Sequence, residues 1–394
     1  MKFLYSHKTR SADGQYVHIR ELTKALAAQG HEIVMAAPGE NSSGRARPLD
    51  ARAGAGGLRR SLPGALYERA EYLYSIPAYL RLRRLWGDAR PDALYERYSL
   101  FYHAGVWLKR STGAPMLLEV NAPLAEERAR HDGLTLRRFA ARSEAAIWRA
   151  ADMVLPVTGV LADKIRAAGV DDDRIAVIHN GAAPEFLQPA NPAPLRARYG
   201  LDRATVLGFA GFVRDWHRVD RVIRFMAERG SEDLRLLLVG DGPARAGLEL
   251  LACDLGVADR VIITGVVQRE AMPDHIALFD AALLPAAVEY ASPLKLFEYM
   301  AMGRAILAPR AANICEVARD GEDALLFAPE DDAAFYERLA ALCANADLRA
   351  RLGAAARETL ERRDYTWAGN ASRIEALTGR LLALRAKTQG ASHY

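Results

Sequence analysis

The chain has 394 residues, 51% of them hydrophobic and 26% charged, which describes a globular protein too long for a single core, so two domains are expected. A net charge of +4 gives no case for a nucleic-acid partner, and no apolar run approaches the roughly 18 residues of a membrane span. Cys253, Cys315 and Cys343 lie far apart without metal-ligand spacing, which argues for a reducing, cytoplasmic setting and against a disulfide framework.

KFLYS reads as a first β-strand and not as a signal peptide, because its apolar run is short and turns polar at once. Gly14 then precedes a helix, QYVHIRELTKALAAQG, on which Tyr16, Ile19, Leu22 and Leu26 share a face and Gly30 is the stop. A glycine there serves equally as a turn or as a loop that lets an anion approach. Strands are expected at HEIVMAAP, DALYER (92–97), PMLLEV (115–120), MVLPVT (153–158) and IAVIHN (175–180), with helices between most of them. Segment 41–64, rich in Gly, Ser, Ala, Arg and Pro, reads as a mobile loop. The proline-dense stretch around 184–198 reads as a linker.

Alternation restarts with TVLGFAGF, LRLLLVGDG, RVIITGVV, AALLPAA, RAILAP and DALLFAP, each separated by helical sequence. The fold class is therefore α/β, with two doubly wound, Rossmann-like parallel-sheet domains over 1–186 and 187–365 and a final helix over 366–394. In such sheets ligands bind beyond the carboxyl ends of the strands, so candidate residues should follow strands, in a cleft between the domains.

LVGDGPARAG places Gly240, Gly242 and Gly247 after a strand, but the last glycine is one residue late for a dinucleotide fingerprint. A structural turn is the better reading. GFVRDWHRVD gathers Arg214, His217 and Arg218 beside Trp216, which suits a diphosphate or is a solvated basic loop. VDDDRI contains Asp171 and Asp173 in Asp-x-Asp spacing, yet it precedes a strand and reads as a polar turn. HNG (179–181) is mostly a turn signal, although it follows a strand. Signatures of serine hydrolases, zinc sites and P-loops are absent.

EYASPLKLFEYMAMG (289–303) predicts a helix from Leu294 to Met302, with Ser292 as N-cap, Pro293 as first helical residue and Gly303 as stop. Lys295 opposes the macrodipole at its start, and Glu298 puts a carboxylate into a helix that is apolar almost all round.

With both halves laid out, the chain resembles the retaining glycosyltransferases of family 4, of GT-B fold and the bacterial polysaccharide or glycoconjugate type. SPLKLFEYMAMGRAILAP carries the resemblance most strongly. LVGDGP, VIITGVV, IHNGAAPEFL, YERYSLF, LLEVNAPLAEE and ADGQYVHIRELTKALAAQGHEIVM match in type and order. The resemblance implies transfer of a sugar from a nucleoside diphosphate sugar to a hydroxyl acceptor, with retention and with neither metal nor other cofactor. Glu298 would accept from ribose hydroxyls, while the helix start around Ser292, Pro293, Leu294 and Lys295 would face the diphosphate. Arg214 and His217 lie where the family presents basic residues, although Phe212 and His217 stand at the usual arginine and lysine positions. The base would rest near Gly265 and Val267. Tyr290 occupies the position of the family's upstream glutamate, so either Glu289, one residue early and brought in by a one-residue bulge, or Tyr290 would meet the sugar. Arg214, Lys295 and Glu289 form the implied catalytic set. Gly14 and Gln15 fit the family's first loop, and His18, Glu119 and Asn121 the acceptor side. The last helix would cross back onto the first domain.

Arg59, Arg60, Arg81, Arg83, Arg84, Arg90, Arg137 and Arg138, interleaved with Leu, Tyr and Trp, suggest either a surface for anionic membrane or solvated helix faces. Three other functions fit the same scaffold: a sugar-nucleotide epimerase, a nicotinamide dehydrogenase and a nucleotide-sugar-binding protein without turnover.

Overall fold

The computed structural model describes residues 1–9, 14–37, 63–229 and 231–391. Arg59, Arg60 and nearly all of the segment 41–64 lie outside those residues. The chain forms two compact units, Met1–His179 with Ala368–Tyr394, and Asn180–Trp367.

The first unit runs β1 (Lys2–Ser6), α1 (Gly14–Ala28), β2 (Glu32–Ala36), α2 (Gly64–Leu73), α3 (Ser75–Ala89), β3 (Ala93–Arg97), α4 (Ala104–Thr112), β4 (Met116–Val120), α5 (Leu124–His131), α6 (Arg137–Ala150), β5 (Met153–Pro156) and α7 (Gly159–Ala167). Its strands pair in parallel in the order β2-β1-β3-β4-β5. Helices cover both faces of such a sheet, so β3 and β4 are buried at every residue, including Glu96, Arg97 and Glu119 at their carboxyl ends. Leu4, Leu94, Leu118 and Val154 pack with Ile147 and Trp148 in its core.

Two expectations fail locally. The inward face of α1 comprises His18, Ile19, Leu22 and Leu26, whereas Tyr16 is exposed. IAVIHN is not a strand. It makes one bridge, Ile175 to Val154, and two further backbone bonds along β5, with Val177 exposed.

The second unit runs α8 (Ala193–Arg198), β6 (Thr205–Ala210), α9 (Asp220–Arg229), β7 (Leu234–Val239), α10 (Arg245–Asp254), β8 (Val261–Ile263), α11 (Met272–Ile276), β9 (Ala281–Leu283), α12 (Leu294–Ala301), β10 (Ala305–Pro309), α13 (Ala312–Cys315), β11 (Leu325–Phe327), α14 (Asp332–Ala344) and α15 (Ala346–Arg362). The parallel order is β11-β10-β9-β6-β7-β8. Chain direction across the sheet reverses between β6 and β9, so the loops after these two strands flank the switch point where ligands bind in open sheets. They are residues 211–219 and 284–293. The proline-dense stretch is no free linker: Pro184–Leu187 forms a 3-10 turn that buries Phe186, and α8 follows within the same unit.

The last helix, α16 (Trp367–Ala391), belongs to the first unit from Ala368 onward. Gln29 Nε2 donates to Ala368 O at 2.9 Å, and Asn370 Nδ2 to His179 O at 2.8 Å. The three cysteines are free. No helix among the described residues is long and apolar enough to cross a membrane.

Candidate functional site

Helix α12 leaves the β9 loop at the switch point. Pro293, expected as the first helical residue, is instead the N-cap, with extended backbone and no side-chain bond into the helix. Ser292 does not cap. Its Oγ accepts the Asn180 N–H at 3.0 Å while Asn180 Nδ2 donates to Ser292 O at 2.6 Å, so the hydroxyl is used to hold the loop. By helix geometry the amides of Leu294 and Lys295 have no intrahelical acceptor. Tyr299 OH accepts from Ala210 N–H at 2.8 Å, tying α12 to the end of β6. Gly303, at φ 60°, ends the helix as expected. Asn313 Nδ2 donates to Val288 O at 2.9 Å and to Ala291 O at 2.6 Å, which fixes the turn carrying exposed Glu289 and partly buried Tyr290.

Lys295 reaches back over β6, with Nζ 3.7 Å from the centroid of Phe209 and against Gly211. Burial pushes its ammonium down to about 7, with Glu298 opposing. His217 is pushed down to about 3 by burial and then by Lys295. Its Nδ1 accepts the Arg214 N–H at 3.0 Å, the role of a neutral ring. Arg214 is exposed, with its guanidinium 5.2 Å from the Phe212 ring. Arg218 leaves this group: it pairs with Asp220 at 3.3 Å and Asp332 at 4.0 Å. Arg218 is thus committed to Asp220 and Asp332, while Arg214 stays exposed on the loop and Lys295 comes from α12 itself.

The glycines of LVGDGP have a steric reason. A Cβ on Gly240, at φ 143°, would lie 2.1 Å from Gly211 O, and one on Gly242 would lie 2.1 Å from Val213 O. Both allow the β7 loop to pack against the β6 loop, whereas Gly247 has open space around its Cβ position. Gly265 bridges to Gly240, beside exposed Val266 and half-buried Val267.

Glu298 is only 6% exposed and is not alone. Arg269 Nη1 donates to its Oε1 at 2.5 Å. The same guanidinium lies 4.6 Å from the Phe186 ring centroid, and its Nε is 3.6 Å from Glu185 Oε1. Sequence reasoning missed Arg269, although it follows β8 and meets the after-strand criterion. Asn180 and Asn313 were missed as loop anchors for the same reason: their partners lie far away in sequence.

In the first unit, His18, Glu119 and Asn121 come together at the carboxyl ends of β1, β3 and β4. Glu119 is buried and accepts from Tyr95 OH (2.8 Å), Asn121 Nδ2 (2.6 Å), Arg97 Nη1 and His18 Nε2 (3.0 Å). Burial works to raise its carboxyl, but His18 and Arg97 outweigh it and hold the group well below the usual carboxylate range. Four donors therefore surround Glu119, which is only 2% exposed. Arg97 and Tyr95 sit in YERYSLF but acquire a role only through Glu119. Gly14 and Gln15 are exposed in the first turn of α1, below His18 in sequence.

Asp171 and Asp173 are exposed around a 3-10 turn, where Arg174 pairs with Asp171 at 3.8 Å and Arg166 with Asp172. Among the described residues no group of His, Cys, Asp and Glu is placed to hold a metal.

Residues 204–345 match the family model "Glycosyl transferases group 1", and residues 13–181 match "Glycosyl transferase 4-like domain". The chain belongs to the group 1, family 4-like glycosyltransferases. This glycosyltransferase is 29% identical over 376 residues to D-inositol 3-phosphate glycosyltransferase of Streptomyces scabiei, across 90% of this chain and 83% of the relative. Anabaena HepE, solved in complex with UDP, superposes with a TM-score of 0.76 at 15% identity, covering 96% of this chain and 100% of that one. Sucrose-phosphate synthase from Thermosynechococcus elongatus gives 0.76 at 20% identity, over 97% and 99%. These similarities and the two parallel sheets establish the GT-B class of paired Rossmann-like units.

Proposed function

We propose that this glycosyltransferase moves a sugar from a nucleoside diphosphate sugar to a hydroxyl acceptor, with retention of configuration and without a metal. The observation that carries the reading is α12, which starts at the switch point with two amides that lack intrahelical acceptors and with Lys295, then presents buried Glu298 one turn later. A departing diphosphate needs preorganised positive potential in a site that excludes water. Lys295, Arg214 and the amides of Leu294 and Lys295 supply it. Glu298 accepts from the ribose hydroxyls, backbone near Gly265 and Val267 takes the base, and Glu289 meets the sugar. The sugar's C1–O bond to the diphosphate breaks while the acceptor oxygen bonds C1 on the same face, and the acceptor proton passes to the leaving phosphate. His18 and Asn121, held by Glu119, are assigned to the acceptor.

Thermal-shift measurements against UDP, GDP and ADP and their sugars test the donor, with UDP first because HepE was solved with it. A ligand at about 100 times its dissociation constant stabilises by about 2.7 kcal/mol. Glu298→Ala should abolish that shift and leave the fold intact. A variant that binds as well as wild type would show the ribose assignment to be wrong. Turnover that survives exhaustive chelation supports metal independence, and release of nucleoside diphosphate only with acceptor present separates transfer from epimerisation.

A peripheral membrane role is proposed for α2 and α3, which expose Leu66, Leu73, Ile76 and Leu80 beside exposed Arg69, Arg83 and Arg84. Apolar side chains among arginines suit an anionic lipid surface. Flotation with anionic liposomes at low salt should carry the protein upward; a protein left at the bottom would remove the idea.

A further inference from the structure

Arg269 is buried against three groups at once: the Phe186 ring, Glu185 and Glu298. Only 16% of its side chain is exposed, and of the Glu298 side chain only 7%. A carboxylate so buried is stable as an anion only with a cation or several donors beside it. The short contact, Nη1 to Oε1 at 2.5 Å, engages one of the two carboxylate oxygens. An ionised carboxylate has about four acceptor sites, so one bond to Arg269 leaves room for two hydroxyl donors. Phe186 and Glu185 in turn keep the guanidinium from swinging away, and both lie in the 3-10 turn against which α12 packs.

We infer that Arg269 is a positioning residue for donor recognition, holding the Glu298 carboxylate in place so that the enzyme selects ribonucleotides by their hydroxyls. The inference rests on the reading of Glu298 as the ribose-binding group. Arg269 itself need not touch the nucleotide.

Isothermal titration of UDP against 2′-deoxy-UDP, and of the ADP and GDP pairs, separates this role from a structural one. Wild type should prefer the ribonucleotide by roughly tenfold or more, the effect of one hydrogen bond to a charged group. Glu298→Ala should lose the preference. Arg269→Gln should bring it below about threefold, losing more ribonucleotide than deoxynucleotide affinity. Arg269→Lys keeps the charge without the planar fork and should give an intermediate ratio, and it answers the question if the glutamine variant does not fold. An unchanged ratio in a folded Arg269 variant, with both affinities lowered together or neither lowered, overturns the inference while leaving Glu298 in place. Wild type that binds both nucleotides equally overturns the Glu298 reading and this inference with it.

Discussion

Lys295 holds its ammonium 3.7 Å from the centroid of the Phe209 ring, beneath the loop that carries Arg214 and His217. The ring and Glu298 favour the charged form, and burial opposes it. The balance near 7 leaves a cation that a diphosphate can complete.

Donor affinity should therefore depend on pH through Lys295. In the unliganded enzyme it loses its proton as pH rises through about 7, and a bound diphosphate restores it, so binding takes up a proton above that pH. Affinity should fall by up to about tenfold per pH unit over that range. His217, held near 3, adds nothing to this slope. Calorimetric titration in two buffers of different ionisation enthalpy measures the proton taken up, and Lys295→Met should abolish it. Without ligand the signs reverse: the unfolded chain binds more protons than the folded one between about 7 and 10.4, so stability rises with pH there. Lys295→Met should accordingly raise the apo melting temperature at pH 7.

The glycines after β7 should behave unequally. Gly240→Ala meets Gly211 O and adopts a φ that L-residues avoid, so a loss above about 2 kcal/mol and weaker nucleotide binding are expected. Gly247→Ala enters open space in α10 and should stabilise by about 0.5–1 kcal/mol. Equal effects in thermal melts would contradict the close-approach account.

Glu119→Gln removes the anion shared by His18 and Arg97 in the first unit. Breaking such a buried set destabilises by about 3–5 kcal/mol. The folded carboxyl lies below its unfolded value of about 4.3, so its stabilisation is present above that pH and is lost on acidification. Acid titration of wild type and variant, followed by circular dichroism, should show a flatter acid limb in the variant.

Glu96 works in the opposite direction. It is fully buried against Ser6 and the Gly105 amide, and burial pushes it up to about 8. The folded state then binds more protons than the unfolded one between about 4.3 and 8, so stability falls as pH rises, by about 1.4 kcal/mol per unit at most. Glu96→Gln should remove that slope. Denaturant melts at pH 5 and pH 8 give the comparison.

Local sequence determined most of the architecture: buried parallel strands are short continuous apolar runs, and helices declare themselves by spacing and by stops such as Gly303. It also determined that α12 is an anomaly, because Lys295 and Glu298 break local rules within one turn of each other. Only tertiary structure decided how these charges are used. Arg269 reaches Glu298 across 29 residues, Asn180 takes the Ser292 hydroxyl across 112, and Arg97 meets Glu119 across 22. Periodicity records which face a residue turns inward, and a polar partner is chosen by which strand ends the sheet order brings together. That order, and the burial that shifts Lys295, Glu119 and Glu96 in different directions, exists only once the units have folded.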